Sequence, residues 1–600
     1  MLLRSLLALV LCACTGGAAA TPVESLVRAT PSYAPSTAAS RAWADSVLRT
    51  LSLRDRAAQL VWPWILGDYV PEGSAEWERI SKFVMDDHVG GLIVSVGSPT
   101  EIAAKLNALQ RLSRLPLLVS ADLETGVGFR ARGGYFVPNA IDLGGATNFP
   151  WQMALGAAND PALAYELGKV TALEGRALGI QIAFGPVLDV NNNPANPVIG
   201  ARSVSEDPRL TARMGVEVIR GLQQNGMLAT GKHFPGHGDT ETNSHLALAT
   251  VSAPRARLDT MELLPFREAI NAGVGAIMTF HGFLPALDSS GVPATLSPKV
   301  MTGLLRNELR FDGLLVSDAM DMAGVVDQFG DVEAIKRAVA AGNDVLLMPR
   351  RITASIDAVV AGVSEGRYDD ARIDRSARRV LELKYRFGLS QQRTVSLDEV
   401  RAVVGDSAHV DAAELLAARA FVLVRDSINA FPLRDGVAGA KPRVLTITYA
   451  RRAELGAGVT FNAELARGAT VQSAYISADD AAPDYARVAA LAAQSEVVVI
   501  GSYVNISSET ATADAPRAFV EFARQLVATG KPVVVITFGT PYLLSQVPFV
   551  PTYAVAWGGT PASQRAAARA FLGEAEISGH MPISIPGLVR TGTGVARERR

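Results

Sequence analysis

Eight short apolar runs, five of them with charged or polar residues at or near their C-terminal ends, are spread across residues 59–349. They read QLVWPWI (59–65), GLIVSV (91–96), LPLLVSAD (115–122), IQIAFGPVLD (180–189), LATGKHF (228–234), GAIMTFH (275–281), GLLVSDAM (313–320) and DVLLMP (344–349). Apolar runs without alternation suit strands buried on both faces, which is the condition of a parallel sheet covered by helices. Helical periodicity fills the intervals, as in LAYELGKVTALEGRALG (163–179) and MELLPFREAINAG (261–273). Eight strand–helix units over about 300 residues predict a (β/α)8 TIM barrel, here placed at 42–389. A doubly wound sheet is the competing fold, and both put their ligand site at the C-terminal ends of the strands. Asp122, Asp189, Lys232, His233, His281 and Asp318 stand at those ends.

Six hundred residues exceed what one core supports, so a further domain is expected. The helical stretch RIDRSARRVLELKYRFGL (372–389) is followed by a looser segment, read as a linker over 390–415. Strand-like RVLTIT (443–448), EVVVIG (496–501), PVVVITFG (532–539) and TYAVAWG (552–558) then predict a smaller α/β sandwich domain over 416–600 with a mostly parallel sheet. Its last residues, 591–600, read as a frayed tail. At the other end, Arg4, the apolar Leu6–Leu11 and the small residues after it have the layout of a signal peptide over 1–20. Two processing sites compete: Ala18-Ala19-Ala20 suits ordinary cleavage, and Leu11-Cys12-Ala13-Cys14 resembles a lipobox that would leave a lipid anchor on Cys14. Export is therefore expected, to the periplasm, the outside or a membrane-anchored position, followed by a flexible linker over 21–41. Both cysteines of the chain lie in the leader, which excludes cysteine catalysis, disulfides and cysteine-type zinc sites from the mature protein. With Lys+Arg 57 against Asp+Glu 59 there is no electrostatic footprint for nucleic acid. Oligomeric state is not legible.

The densest chemistry is KHFPGHGDTETNSH, Lys232 to His245. His233 and His237 have the spacing of a zinc-binding helix pair, but Pro235, Gly236 and Gly238 forbid a helix, so no metal site and no cofactor is expected. In VSDAMDM, Asp318 ends an apolar run, where an unused carboxylate would cost desolvation energy; it is either a helix cap or a catalytic group. In SADLETGVGFR, Asp122 and Arg130 suit sugar hydroxyls, since one accepts and the other donates charge-assisted hydrogen bonds; a salt bridge holding the loop explains them too. Arg202 stands in NPVIGARSVSEDP.

These four motifs together resemble the bacterial β-N-acetylglucosaminidases of glycoside hydrolase family 3, in matching order from about 45 to 390. AWGGTPASQRAAARAFLGEAEISGHMPISIP (556–586) extends the resemblance to the two-domain members. The resemblance implies a retaining exo-enzyme that removes terminal β-linked N-acetylglucosamine from peptidoglycan fragments or chitin oligomers. It implies Asp318 as nucleophile and His245 as acid/base on a loop after strand five. It also implies Asp122, Arg130, Arg202, Lys232 and His233 as sugar-hydroxyl ligands, with His281, an active-site histidine on strand six, as a further substrate-binding residue. One position departs from the family: Asn243 stands where an aspartate usually orients and charges the histidine. An amide still fixes the tautomer but lends no charge, so the donor should titrate lower; Asp239 or Glu241 is the alternative source of charge. With a histidine donor, an anionic acceptor such as phosphate would be repelled less, which leaves phosphorolysis open. The rival readings are a family-3 β-glucosidase or xylosidase, and a non-catalytic cell-wall-binding lipoprotein on a decayed barrel.

Overall fold

The computed structural model describes residues 36–133, 135–136, 141–142, 144–244, 246–436, 439–505 and 515–600. The eight runs become barrel strands: β1 (Val61–Trp62 and, past Pro63, Trp64–Ile65), β2 (Gly91–Val94), β3 (Leu118–Ala121), β4 (Ile182–Ala183), β5 (Leu228–Phe234), β6 (Ala276–Thr279), β7 (Leu314–Ala319) and β8 (Val345–Leu347). All neighbouring pairs are parallel. Pro63 cannot donate to a ladder, and it divides the labour of β1. Val61 and Trp62 pair with β8, while Trp64 and Ile65 pair with β2, so the two halves of one strand close the ring. Trp62, Ile93, Phe184, Met278, Val316 and Leu347 meet inside it, and Leu383, Phe387 and Leu389 seal its N-terminal end.

The second domain holds β9 (Val422–Asp426), β10 (Arg443–Ala450), β11 (Thr470–Ser477), β12 (Val497–Ser502), β13 (Val533–Thr537) and β14 (Thr552–Val555). The order is β9-β14-β13-β12-β10-β11, parallel throughout except for the edge strand β9. Alternate residues of β12 serve two cores: Val498 and Ile500 join Phe519 and Phe522, and Val499 joins Phe461 and Phe571. That makes a sandwich with helices on both faces. Among the described residues no helix is long and apolar enough to cross a membrane.

Three expectations from composition are corrected. The leader and residues 21–35 lie outside the described set, but 38–41 of the expected flexible linker belong to helix Ala38–Leu48. Thr37 and Ser40 cap that helix reciprocally, and Trp43 packs on Tyr385, 5.8 Å between centroids. The segment 390–415 is not a free linker. It carries helix Leu397–Val403 and the start of Ser407–Ala420, and Asn107 holds Val395 through both its N–H and its C=O. The tail is paired: Arg597 exchanges backbone hydrogen bonds with Ile577 and its guanidinium reaches Asp426 at 3.0 Å. Side-chain-to-backbone ties of this kind leave no periodicity to read.

Lys384, fully buried at the sealed end of the barrel, donates to Gln59 Oε1. Burial, with the Arg393 charge adding to it, pulls its ammonium from 10.5 down to about 7. Below pH 7 the folded and unfolded chains both hold this proton, whereas between 7 and 10.5 the unfolded chain holds more of it, so stability should rise with pH across that window. Urea titrations of wild type and Lys384→Met from pH 7 to pH 10 check this: the rise should flatten in the variant, and equal slopes would contradict it.

Candidate active site

Five charged side chains alternate in sign along one side of the barrel mouth. Arg130 reaches Asp122 Oδ2 at 2.7 Å, and Asp122 Oδ1 takes Lys232 Nζ at 2.9 Å. Lys232 also donates to Glu124 Oε1 at 2.8 Å, and Arg202 grips both oxygens of Glu124 at 2.7 and 2.9 Å. β3 delivers Asp122 and the turn carrying Glu124, β5 delivers Lys232, and the loop after β4 delivers Arg202. Burial works against both carboxylates, but the Lys232, Arg130 and Arg202 charges overcome it and hold Asp122 and Glu124 well below the usual carboxylate range. The same two carboxylates raise the Lys232 ammonium despite its burial. Lys232 is therefore a fixed cation, while Asp122 and Arg130 remain half-exposed at the mouth. Such a set suits the acceptor and donor pattern of sugar hydroxyls.

Beneath it, Asp189 ends the run through β4 and is fully buried. Its Oδ2 takes His233 Nδ1 at 2.7 Å and its Oδ1 takes the His237 N–H at 2.7 Å. Burial pushes this carboxyl up, and the two histidines bring it back below its ordinary value. His237 is the pivot of the loop after β5. Its ring lies 4.0 Å from Phe280, Nδ1 meets Thr240 Oγ1 and Nε2 meets Ser244 Oγ, both at 2.9 Å. Burial pulls it down to about 3, so it is a neutral brace for the segment that leads to position 245. Asn196 Nδ2 donates to the His237 and Gly238 carbonyls, tying the loop after β4 to the loop after β5. His245 itself lies outside the described residues. Asn243 is buried and its carbonyl accepts the Leu246 and Ala247 N–H groups. Asp239 is engaged by Arg257 and Asn193, and Glu241 is exposed.

Asp318 sits at the mouth end of β7, where the β7–β8 register slips between Val316 and Ala319. The extra residue is a bulge, a device that re-aims a side chain at the cost of regular pairing. Ser317 Oγ takes over for the lost ladder and accepts the Leu347 N–H at 3.0 Å. The Ala319 N–H donates to Asp318 Oδ1 at 2.8 Å, and the Asp318 N–H donates to Thr279 Oγ1 at 3.2 Å.

His281 has no exposed surface, and its two nitrogens meet Thr295 Oγ1 at 2.8 Å and the Ala319 carbonyl at 2.9 Å. Its expected role as a sugar ligand is corrected on that ground: the ring turns into the protein. Two residues were missed. Glu124 lies inside a quoted motif, yet its partner Arg202 is far along the chain, so nothing local marks it. Trp64 is in register with the interior residue Ile93 and is 36% exposed, which puts an aromatic face on the inner wall of the mouth; the WPW triplet was the available signal. Among the described residues no group of three or more His, Cys, Asp or Glu is arranged to hold a metal. Glu124→Gln keeps the shape but leaves Lys232 and Arg202 facing one carboxylate. It should lower the melting temperature by several degrees and raise KM about tenfold or more, read by thermal unfolding and steady-state kinetics; no change in either would contradict the network.

Comparison with known proteins places this geometry. Residues 52–383 match the glycosyl hydrolase family 3 N-terminal domain, and residues 328–594 match its C-terminal domain. The beta-hexosaminidase A of Pseudoalteromonas piscicida is 33% identical over 388 residues, covering 60% of this chain and 62% of that protein, under two thirds of its length. A beta-N-acetylglucosaminidase/beta-glucosidase of Cellulomonas fimi is 28% identical over 525 residues, 83% of this chain and 88% of that one. The structure of a family 3 beta-N-acetylglucosaminidase from Paenibacillus aligns with a TM-score of 0.77 at 34% identity, covering 89% of this chain and 99% of that one. A barrel and sandwich in this order, with charged side chains gathered at the strand ends, are thus the two domains of a known enzyme fold, and the chain belongs to glycosyl hydrolase family 3.

Proposed function

We propose that the protein is a retaining exo-β-N-acetylglucosaminidase with Asp318 as nucleophile and His245 as acid/base. The observation that carries this reading is Asp318: a carboxylate re-aimed by a bulge at the mouth of the barrel and held by the next amide. Its carboxylate attacks the anomeric carbon while a proton passes from the imidazolium to the glycosidic oxygen, which leaves with the bond's electrons. The neutral histidine then takes a proton from water, whose oxygen displaces the aspartate ester and returns the sugar with its β configuration. Asp122, Arg130, Lys232 and Arg202 take the hydroxyls of the terminal sugar, Glu124 holds Lys232 and Arg202 in place, and Trp64 offers a surface to the sugar's C–H face.

The relatives named for hexosaminidase and N-acetylglucosaminidase activity support the N-acetylglucosamine reading, and the fimi relative, named for both activities, favours β-glucosidase as the second one. The leader-like start, outside the described residues, supports action beyond the cytoplasm on peptidoglycan fragments or chitin oligomers. Rates on p-nitrophenyl N-acetyl-β-glucosaminide and p-nitrophenyl β-glucoside separate the two readings. The first substrate should be preferred, and a preference for the glucoside would overturn the proposal. Asp318→Asn should cut the rate about a thousandfold or more, whereas a variant within tenfold of wild type would remove Asp318 as nucleophile. Asn243→Asp restores a charge beside the histidine, stabilises its protonated form, and should move the alkaline limb of the kcat/KM profile to higher pH; an unmoved limb contradicts the partnership.

A further inference from the structure

We propose that His281 is a positioning residue for the nucleophile, holding the backbone on both sides of Asp318 through Ala319 and through a directed chain over Thr295 and Thr279. The inference rests on Asp318 being the nucleophile. The direction of the chain follows from what each atom can do. The Ala319 carbonyl only accepts, so His281 Nε2, 2.9 Å away, carries the hydrogen. In the neutral ring Nδ1 then accepts, and the Thr295 hydroxyl donates to it at 2.8 Å. That contact is shorter than the 3.1 Å from the same hydroxyl to the Phe280 carbonyl. With its proton committed, Thr295 Oγ1 accepts from the Thr279 hydroxyl at 2.8 Å, and Thr279 Oγ1 accepts the Asp318 N–H at 3.2 Å.

The two ends of the chain meet at one carboxylate. Ala319 holds Asp318 Oδ1 with its N–H and is itself held by His281 at its C=O. Asp318 stands at a bulge, where the sheet ladder no longer restrains the backbone. The side-chain bonds supply that restraint from β6 and from the turn Ala294–Leu296, which Asn343 anchors by donating to the Thr295 carbonyl at 2.8 Å. A nucleophile displaced by a fraction of an ångström loses rate while ligand binding elsewhere in the site is untouched.

Thr295→Val removes the hydroxyl at nearly constant shape, and Thr295→Ser keeps it. The valine variant should lose about tenfold or more in kcat on the N-acetylglucosaminide. Labelling of Asp318 by a fluorinated N-acetylglucosamine donor should slow by the same factor. Affinity for N-acetylglucosamine, set by the charged network on β3 and β5, should stay within twofold or so of wild type, and the serine variant should recover the rate. A valine variant as fast as wild type, one that loses affinity together with rate, or a serine variant as slow as the valine one would overturn the proposal. Should the valine variant fold poorly, Thr279→Val, one bond nearer Asp318, carries the same expectation. Peptide mapping keeps the two claims apart: slow labelling on Asp318 supports positioning, whereas an adduct on another residue refutes the nucleophile and the inference with it.

Discussion

An ammonium held between two carboxylates, out of reach of water, is the interaction on which the mouth of this barrel is built. Lys232 spans β5 to Asp122 and Glu124 with 2.9 and 2.8 Å contacts, and the Glu124–Arg202 pair adds the loop after β4, so three separate stretches of chain form one wall. Burying so many charges is costly unless each meets its opposite, and the alternation Arg130, Asp122, Lys232, Glu124, Arg202 meets that condition. The arrangement leaves one more cation than anion, with hydrogen-bonding atoms at the half-exposed ends. Opposite this wall, around the ring, stand Trp64 on β1 and Asp318 on β7.

Among the described residues the second domain reaches this wall without an ion pair to any of its five charges. Arg130 lies over the Phe129 ring at 4.6 Å, Phe129 meets Trp151 edge-on at 5.7 Å, and the Trp151 N–H donates to the Trp557 carbonyl of the second domain. Asn191, two residues past Asp189, donates to the Tyr542 hydroxyl at 2.7 Å. Glu206, in the loop that supplies Arg202, takes the Ser584 N–H and hydroxyl. The loops after β3 and β4 are thus braced from outside the barrel by the sandwich. Glu509, the acidic residue of its polar loop, lies outside the described residues.

What could be read in advance and what could not divides along physical lines. Strands buried on both faces write themselves as apolar runs, so the eight staves of the barrel were legible, even the one that Pro63 splits. The place of Asp318 at the mouth end of β7 was legible because it closes such a run. Glu124 was not, because its reason for being there is Arg202, and pairing across strands leaves no local pattern. His281 misled because a strand-end histidine serves ligand or protein according to which way its ring turns, and Thr295, which turns it inward, lies on a separate turn. Residues 38–41, the start of the helix at 38–48, and the tied segment 390–415 read as linkers because small and polar residues hide capping and side-chain-to-backbone bonds.

The reaction proposed for this site has a stereochemical consequence that does not depend on any single variant. A carboxylate nucleophile inverts the anomeric carbon once and water inverts it again, so the first product carries the configuration of the substrate. Proton NMR of a fresh digest of a β-N-acetylglucosaminide, recorded before mutarotation, reads that configuration directly. The account predicts the β-anomer of N-acetylglucosamine in the earliest spectra; the α-anomer appearing first would contradict it.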